Sequence, residues 1–280
     1  MPAATTRPAP PTTAGRTPPF ATRQLTLPLV DTSRPTVGRA GEISPSRALT
    51  TEVWVPDAPG RWPLVVFGPG FEVGPDPYQA LLEAWAAHGY VVAAVEFPLG
   101  DAAVAGPNLD ENDIVNQSAD LRFVTDALVA PASPVAAQID SLRVAVAGHS
   151  DGAENALEAS IEPPPPGQPA YRAVIVMSGQ PLIGIATTPN PPILVIQGDA
   201  DPINPPSRGY QAWQNAASPK DLEVLHGAGH LPPLEAGSQW LPVVERVTIA
   251  FLDAYLARDA SPSVIAQAGN DPPLGTIQTG

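Results

Sequence analysis

The apolar run Leu142 to Ala147 breaks into Gly148-His149-Ser150-Asp151-Gly152 and then into Ala153 to Ala159, a stretch rich in helix formers. Strand, five-residue turn and helix in direct succession constrain a chain strongly. The backbone must make a sharp, strained turn between them, and the two glycines remove the Cβ atoms that would obstruct it. Such a turn lifts the central serine hydroxyl clear of the sheet, where a base and a substrate can reach it. A serine hydroxyl is a weak nucleophile by itself, so a base and an acid are expected downstream.

Both follow. Pro192 to Gln197 is a second short apolar run and ends in Gly198-Asp199-Ala200-Asp201-Pro202; Asp221 to Leu225 is a third and ends in His226-Gly227-Ala228-Gly229-His230. Serine, aspartate and histidine thus lie, in that chain order, just past the ends of three predicted strands. Open α/β sheets collect their sites at strand ends of this kind. His230 is favoured as general base, and as the acid that later protonates the leaving alcohol, because Gly227 to Gly229 lets its imidazole swing toward the turn. Its rival, His226, abuts the strand. Asp201 is favoured for orienting the imidazolium, because a residue three positions past Gly198 reaches the loop facing the histidine; Asp199 is the rival. The oxyanion of acyl transfer needs two backbone N–H donors. The amide of Asp151, at a helix N-terminus, is one. The amide of Phe71, in the tight turn Gly68-Pro69-Gly70-Phe71, is the other. A carboxylate on Asp151 would oppose a second negative charge there unless it points away or is paired. His149 is expected to pack or hydrogen-bond beside the turn and counts among the substrate-binding positions.

From residue 60 onward strands alternate with helices, the pattern of a mostly parallel central sheet with helices on both faces. Arg23 to Val30 and Ala48 to Val55 read as strands with no helix between them and predict an antiparallel start. The connection from Pro98 to Asp113 is too short for a helical lid domain. Helices are predicted at Tyr78 to His88, Asp113 to Val129, Ser207 to Ala216 and Leu241 to Leu256. Residues 1–22, rich in Pro and Thr, are expected to be disordered. Residues 23–258 are expected to form the catalytic domain, and 259–280 a tail that drapes over the surface or is partly disordered.

The chain contains no cysteine, which excludes a cysteine nucleophile, disulfides and cysteine-ligated zinc. No cofactor and no metal are expected. A net charge of −14 with only 14 Lys and Arg leaves no basic patch for nucleic acid or an anionic membrane. No run of 18 apolar residues exists to span a bilayer. The Pro/Thr/Ala segment at the start lacks the apolar core of an export signal and is similar to the linker behind a cleaved one. The chain is therefore expected to be exported, with a cytoplasmic address as the alternative, and to be a monomer.

Pro63 to Phe71, Ala87 to Val95, Gly148 to Ala153, Gly198 to Pro202 and Gly227 to His230 together resemble α/β-hydrolases of the dienelactone-hydrolase-like branch. That branch lies close to platelet-activating-factor acetylhydrolases and to the cutinase-like bacterial polyester hydrolases. The resemblance covers roughly residues 23 to 258 and implies the α/β-hydrolase fold and a serine esterase acting on a small or polymeric ester. It also implies that Phe71 forms one wall of the acyl pocket and that Ile203 stands at an apolar subsite. Leu182 occupies the place where polyester hydrolases carry tryptophan, and Asp151 the place where they carry methionine. Polyester cleavage is thus the alternative to generic ester hydrolysis, and a catalytically silent binding module is the second alternative.

Overall fold

The computed structural model describes residues 18–180, 190–257, 261 and 263–280. Eleven strands occur among them: β1 (Thr22–Asp31), β2 (Thr36–Gly38), β3 (Gly41–Ser44), β4 (Arg47–Pro56), β5 (Trp62–Gly68), β6 (Val91–Val95), β7 (Ile139–His149), β8 (Tyr171–Met177), β9 (Ile193–Gly198), β10 (Lys220–Leu225) and β11 (Gly275–Thr279). The helices are α1 (Gln79–Ala87), α2 (Ala102–Ala105), α3 (Ile114–Val129), α4 (Asp151–Ile161), α5 (Pro206–Asn215), α6 (Leu241–Leu252) and α7 (Ser263–Gly269). The main sheet has nine strands in the order β1-β4-β6-β5-β7-β8-β9-β10-β11. Pairing is parallel from β6 to β10 and antiparallel at β1–β4, β4–β6 and β10–β11. This is the α/β-hydrolase fold.

The strands of the parallel block read as near-continuous apolar runs because both of their faces are covered. Leu64 and Val66 of β5 point to one core with Leu121, Val124 and Leu128 of α3 and Ala153 and Ala156 of α4. Val65 and Phe67 point to the other, with Leu81 and Trp85 of α1 and Val243, Val247 and Phe251 of α6. From β5 the chain passes through α1 to β6 on one side, then through α3 to β7 on the other. The strand order therefore reverses between β5 and β7, and a crevice opens above their C-terminal ends, Gly68 and Gly148.

A buried ion cluster fastens α3 to the antiparallel end of the sheet. Arg47 of β4 is fully buried and donates to both carboxylate oxygens of Asp113 (3.0 and 2.8 Å) and of Asp120 (2.8 and 2.6 Å). Arg34 joins Asp120 to Asp31. A guanidinium fork saturated by two carboxylates is the geometry in which burying such charges is tolerable.

Three readings of the sequence are corrected here, and one hairpin is added to them. Residues 18–22 were expected to be disordered, yet the ring of Phe20 packs on Trp62 with centroids 5.0 Å apart and its amide donates to Ala87 O. The tail 259–280 is expected to drape over the surface or be partly disordered, yet residues 263–280 include α7 and β11, which pairs with the outer edge of β10; the ladder that β10 would otherwise leave open explains why so short a strand is held. The hairpin of β2 and β3 has strands too short to carry a periodic signal. The last long helix ends at Leu252 and continues as wider π-type turns over Asp253–Ala257. Residues 1–17 lie outside the described residues, and no described helix is long and apolar enough to cross a membrane.

Glu223 of β10 is fully buried beneath this C-terminal segment, against Gly269 and Gly275, and among the described residues neither carboxylate oxygen has a partner. Burial pushes its carboxyl up to about 8, against a smaller opposing pull from Arg246 and with a further push from Asp271. The folded protein thus holds this proton more tightly than the unfolded chain does. Its contribution to stability is complete below the ordinary value of 4.5 and is lost as pH rises through about 8. At about 1.4 kcal/mol per tenfold change in proton affinity, the loss is on the order of 4–5 kcal/mol. Glu223→Gln should therefore raise the melting temperature at pH 9 by several degrees more than at pH 5. Equal shifts at the two pH values in thermal melts would show that the carboxylate is solvated.

Candidate active site

Ser150 sits between β7 and α4 with φ 54° and ψ −124°, a conformation that L-residues seldom adopt. Its amide donates to Met177 O of β8 (3.0 Å), and its carbonyl accepts from Ala153 and Glu154 in the first turn of α4. Close backbone packing enforces this turn. A Cβ on Gly152 would collide with the Gly68 carbonyl, and one on Gly148 would collide with Gly152 itself. The turn Gly68 to Phe71 consequently lies directly against the serine: a Cβ on Gly70 would stand 3.2 Å from Ser150 Cβ and 3.1 Å from His149 Nδ1. The loop expected to carry one oxyanion donor, Phe71, thereby lies beside the serine turn that carries the other, Asp151.

The loops after β9 and β10 converge on the same point and carry two Asp–His pairs. His230 Nδ1 donates to Asp201 Oδ2 at 2.8 Å, with the carboxylate fully buried and the imidazole nearly so. His226 and Asp199, the rivals, pair with each other at 3.2 Å on the exposed flank. Asp199 also accepts from the Gly227 amide, so the outer pair pins the start of the loop whose end carries His230. Asp201 is held rigidly: its Oδ1 accepts the amides of Ile203 (2.9 Å) and Asn204 (3.0 Å) in an Asx turn. Gln197 Nε2 approaches its Oδ2 at 3.4 Å, and Asn204 Nδ2 donates to Ser178 O at 2.6 Å. With Nδ1 committed to Asp201, His230 has Nε2 left for proton transfer. Among the described residues the Ser150 hydroxyl makes no hydrogen bond; apo sites often tighten that contact only around substrate.

His149 packs and hydrogen-bonds beside the turn. It is 2 % exposed, and both ring nitrogens are engaged inside the protein, Nδ1 with the Tyr78 hydroxyl (2.9 Å) and Nε2 with His230 O (3.2 Å). Burial, then the neighbouring His230, lower its pKa to about 3, so the ring is neutral. Ile203 is 65 % exposed next to the acid. Leu182 lies outside the described residues.

Asp151 is half-buried, and its Oδ2 is buried without a partner. Desolvation first and repulsion from Glu111 second raise its carboxyl to about 6, while His230 pulls the other way. Glu154, one turn further along α4, is raised to about 8 by burial and then by Asp151. One edge of the crevice is therefore acidic. The alternation of the strands gave no hint of Glu154, Tyr78 or Asn204. Gln197 carried a usable signal, since a polar side chain at the end of a buried parallel strand needs a partner. Among the described residues no group of three or more His, Asp or Glu is placed to hold a metal ion.

With this geometry in place, comparison with known proteins adds one finding. The family model described as Chlorophyllase matches residues 30–197, more than half of the chain. The match takes in the serine turn and the Gly68 to Phe71 loop and stops before Asp201 and His230. No curated protein matches the chain.

The packing at the turn makes opposite demands on two neighbours. Gly152→Ala should destabilise the fold by about 1–3 kcal/mol or more, since backbone must move to admit the methyl. Ser150→Gly should stabilise it by about 1 kcal/mol by relieving the positive φ. Thermal unfolding of the two variants checks both, and a silent Gly152→Ala would mean that the Gly68 loop is not packed against α4.

Proposed function

The chain belongs to the chlorophyllase family, carboxylic ester hydrolases of the α/β-hydrolase superfamily, and from that membership we propose that it cleaves carboxylic esters through an acyl-enzyme on Ser150. Ser150 Oγ attacks the ester carbonyl as His230 Nε2 takes its proton. Asp201 keeps the imidazole in the Nδ1–H tautomer and stabilises the imidazolium. The amides of Phe71 and Asp151 hold the oxyanion of the tetrahedral intermediate. Collapse of that intermediate breaks the C–O bond, and His230 returns its proton to the departing alcohol. Water, deprotonated by the same imidazole, then attacks the acyl-enzyme and releases the acid and the free serine.

The observation that carries this reading is the 2.8 Å bond between the buried Asp201 and His230 at the loops facing Ser150. The carboxylates of Glu111 and Asp151 favour uncharged esters over those bearing an anionic acyl group, because they repel the substrate's own negative charge. The likeness to the dienelactone-hydrolase-like branch belongs to this proposal as well. Ser150→Ala should abolish hydrolysis of p-nitrophenyl butyrate, and Asp201→Asn should reduce kcat by about 10⁴-fold through the wrong imidazole tautomer. Asp199→Asn should leave most of the activity. Activity surviving in Ser150→Ala sinks the assignment, and the reverse ranking of the aspartates exchanges their roles.

A second reading, hydrolysis of apolar polyesters, is favoured by Ile203, whose exposed side chain stands beside the acid on an open rim. Release of soluble aromatic acids from polyethylene terephthalate film, reduced by Ile203→Ser, is the expected result. Film left intact while p-nitrophenyl butyrate or chlorophyll is cleaved would remove this reading.

A further inference from the structure

We infer that His149 and Tyr78 form a buried clamp that positions both halves of the proposed catalytic site, tying the loop of the oxyanion donor Phe71 to the backbone of the base His230. The inference rests on the reading of Ser150 and His230 given above. Its basis is a continuous hydrogen-bond chain with only one consistent direction. The Gly70 amide can only donate, so the Tyr78 oxygen accepts from it, at 3.2 Å. At the other end the His230 carbonyl can only accept, so in a neutral ring Nδ1 is bare and the Tyr78 hydroxyl directs its own proton to it, at 2.9 Å. That leaves the proton of a neutral imidazole on Nε2, where it is donated to the carbonyl of His230, at 3.2 Å. Every donor in the chain has an acceptor, and His149 is neutral as the chain requires.

Packing makes the clamp stiff. Tyr78 is fully buried, with its ring 4.8 Å from Phe67 of β5 and 5.5 Å from His149, centroid to centroid. The rings of His149 and His230 are 4.5 Å apart. His149 is also the residue immediately before Ser150 in the turn. One imidazole thus spans the nucleophile's turn, the loop from β5 and the loop from β10. Tyr78 and His149 touch neither the ester nor its reacting atoms. They act as positioning residues, and their effect should fall on the transition state, because the Phe71 amide is needed only once the carbonyl oxygen becomes charged.

Tyr78→Phe keeps the ring and deletes the link. In a protein whose far-ultraviolet circular dichroism is unchanged, kcat for p-nitrophenyl butyrate should fall about 10-fold or more, a part of what loss of a whole oxyanion donor costs. KM should stay within about twofold, and the midpoint of the acid limb of the pH profile, which reports His230, should not move. The double variant Tyr78→Phe/His149→Gln should lose no more than the worse single variant, as members of one chain do. Nitrogen-15 spectra of the wild-type histidines supply a readout that needs neither activity nor a variant: His149 should remain the neutral Nε2–H tautomer from pH 4.5 to 9. A His149 that gains a proton near pH 6.5, or that carries it on Nδ1, overturns the clamp. So does Tyr78→Phe with wild-type kcat. Failure of the esterase reading looks different, since it would appear as a wild-type protein without hydrolysis or as an active Ser150→Ala.

Discussion

Contact between Gly152 and the Gly68 carbonyl sets the distance between the first turn of α4 and the loop that follows β5. No side chain fits there, so backbone meets backbone, and the peptide planes of the serine turn have a single arrangement available to them. The positive φ of Ser150 is the local cost of that approach. Its benefit is that the loop after β5 lies directly against the serine turn, at the point where the strand order reverses. The parallel sheet supplies the rigidity, since β5 and β7 are buried on both faces and held by neighbours on both edges.

The loops from β9 and β10 show how two similar pairs of residues are separated by environment. Asp199–His226 and Asp201–His230 both join an aspartate to the imidazole Nδ1. The first is exposed and braces a glycine-rich loop. The second is buried, its carboxylate saturated by two backbone amides and the imidazole, so it can hold a charge that develops on the ring. Acidic groups on α4 sit across from it. Raised carboxyls at Asp151 and Glu154 follow first from burial and then from neighbouring like charges, and they give the rim a character that the apolar core below it lacks.

Much of this was legible before any coordinates. Strand–turn–helix around Ser150, the two later strand ends and the antiparallel start all follow from period and turn chemistry, which act over a few residues. Leu64 to Phe67 could be recognised as buried on both faces because nothing in it is polar. The short hairpin and β11 escaped, since three to five residues carry no period and β11 is held by the open edge of β10. Phe20 escaped for a similar reason: a Pro-rich stretch masks one aromatic ring that finds Trp62.

The sequence by itself determined the fold, the identity of the serine turn and the segments on which the acid and base could lie, because those depend on local backbone preference and on the alternation of apolar residues. Tertiary structure alone decided which histidine meets which aspartate, that His149 is buried between Tyr78 and the His230 carbonyl, and that Arg47 can be buried between Asp113 and Asp120. Each of these is a matter of partners 27 to 81 residues apart in the chain. Hydrogen-bond direction and burial are set by such partners, and no window along the chain contains them.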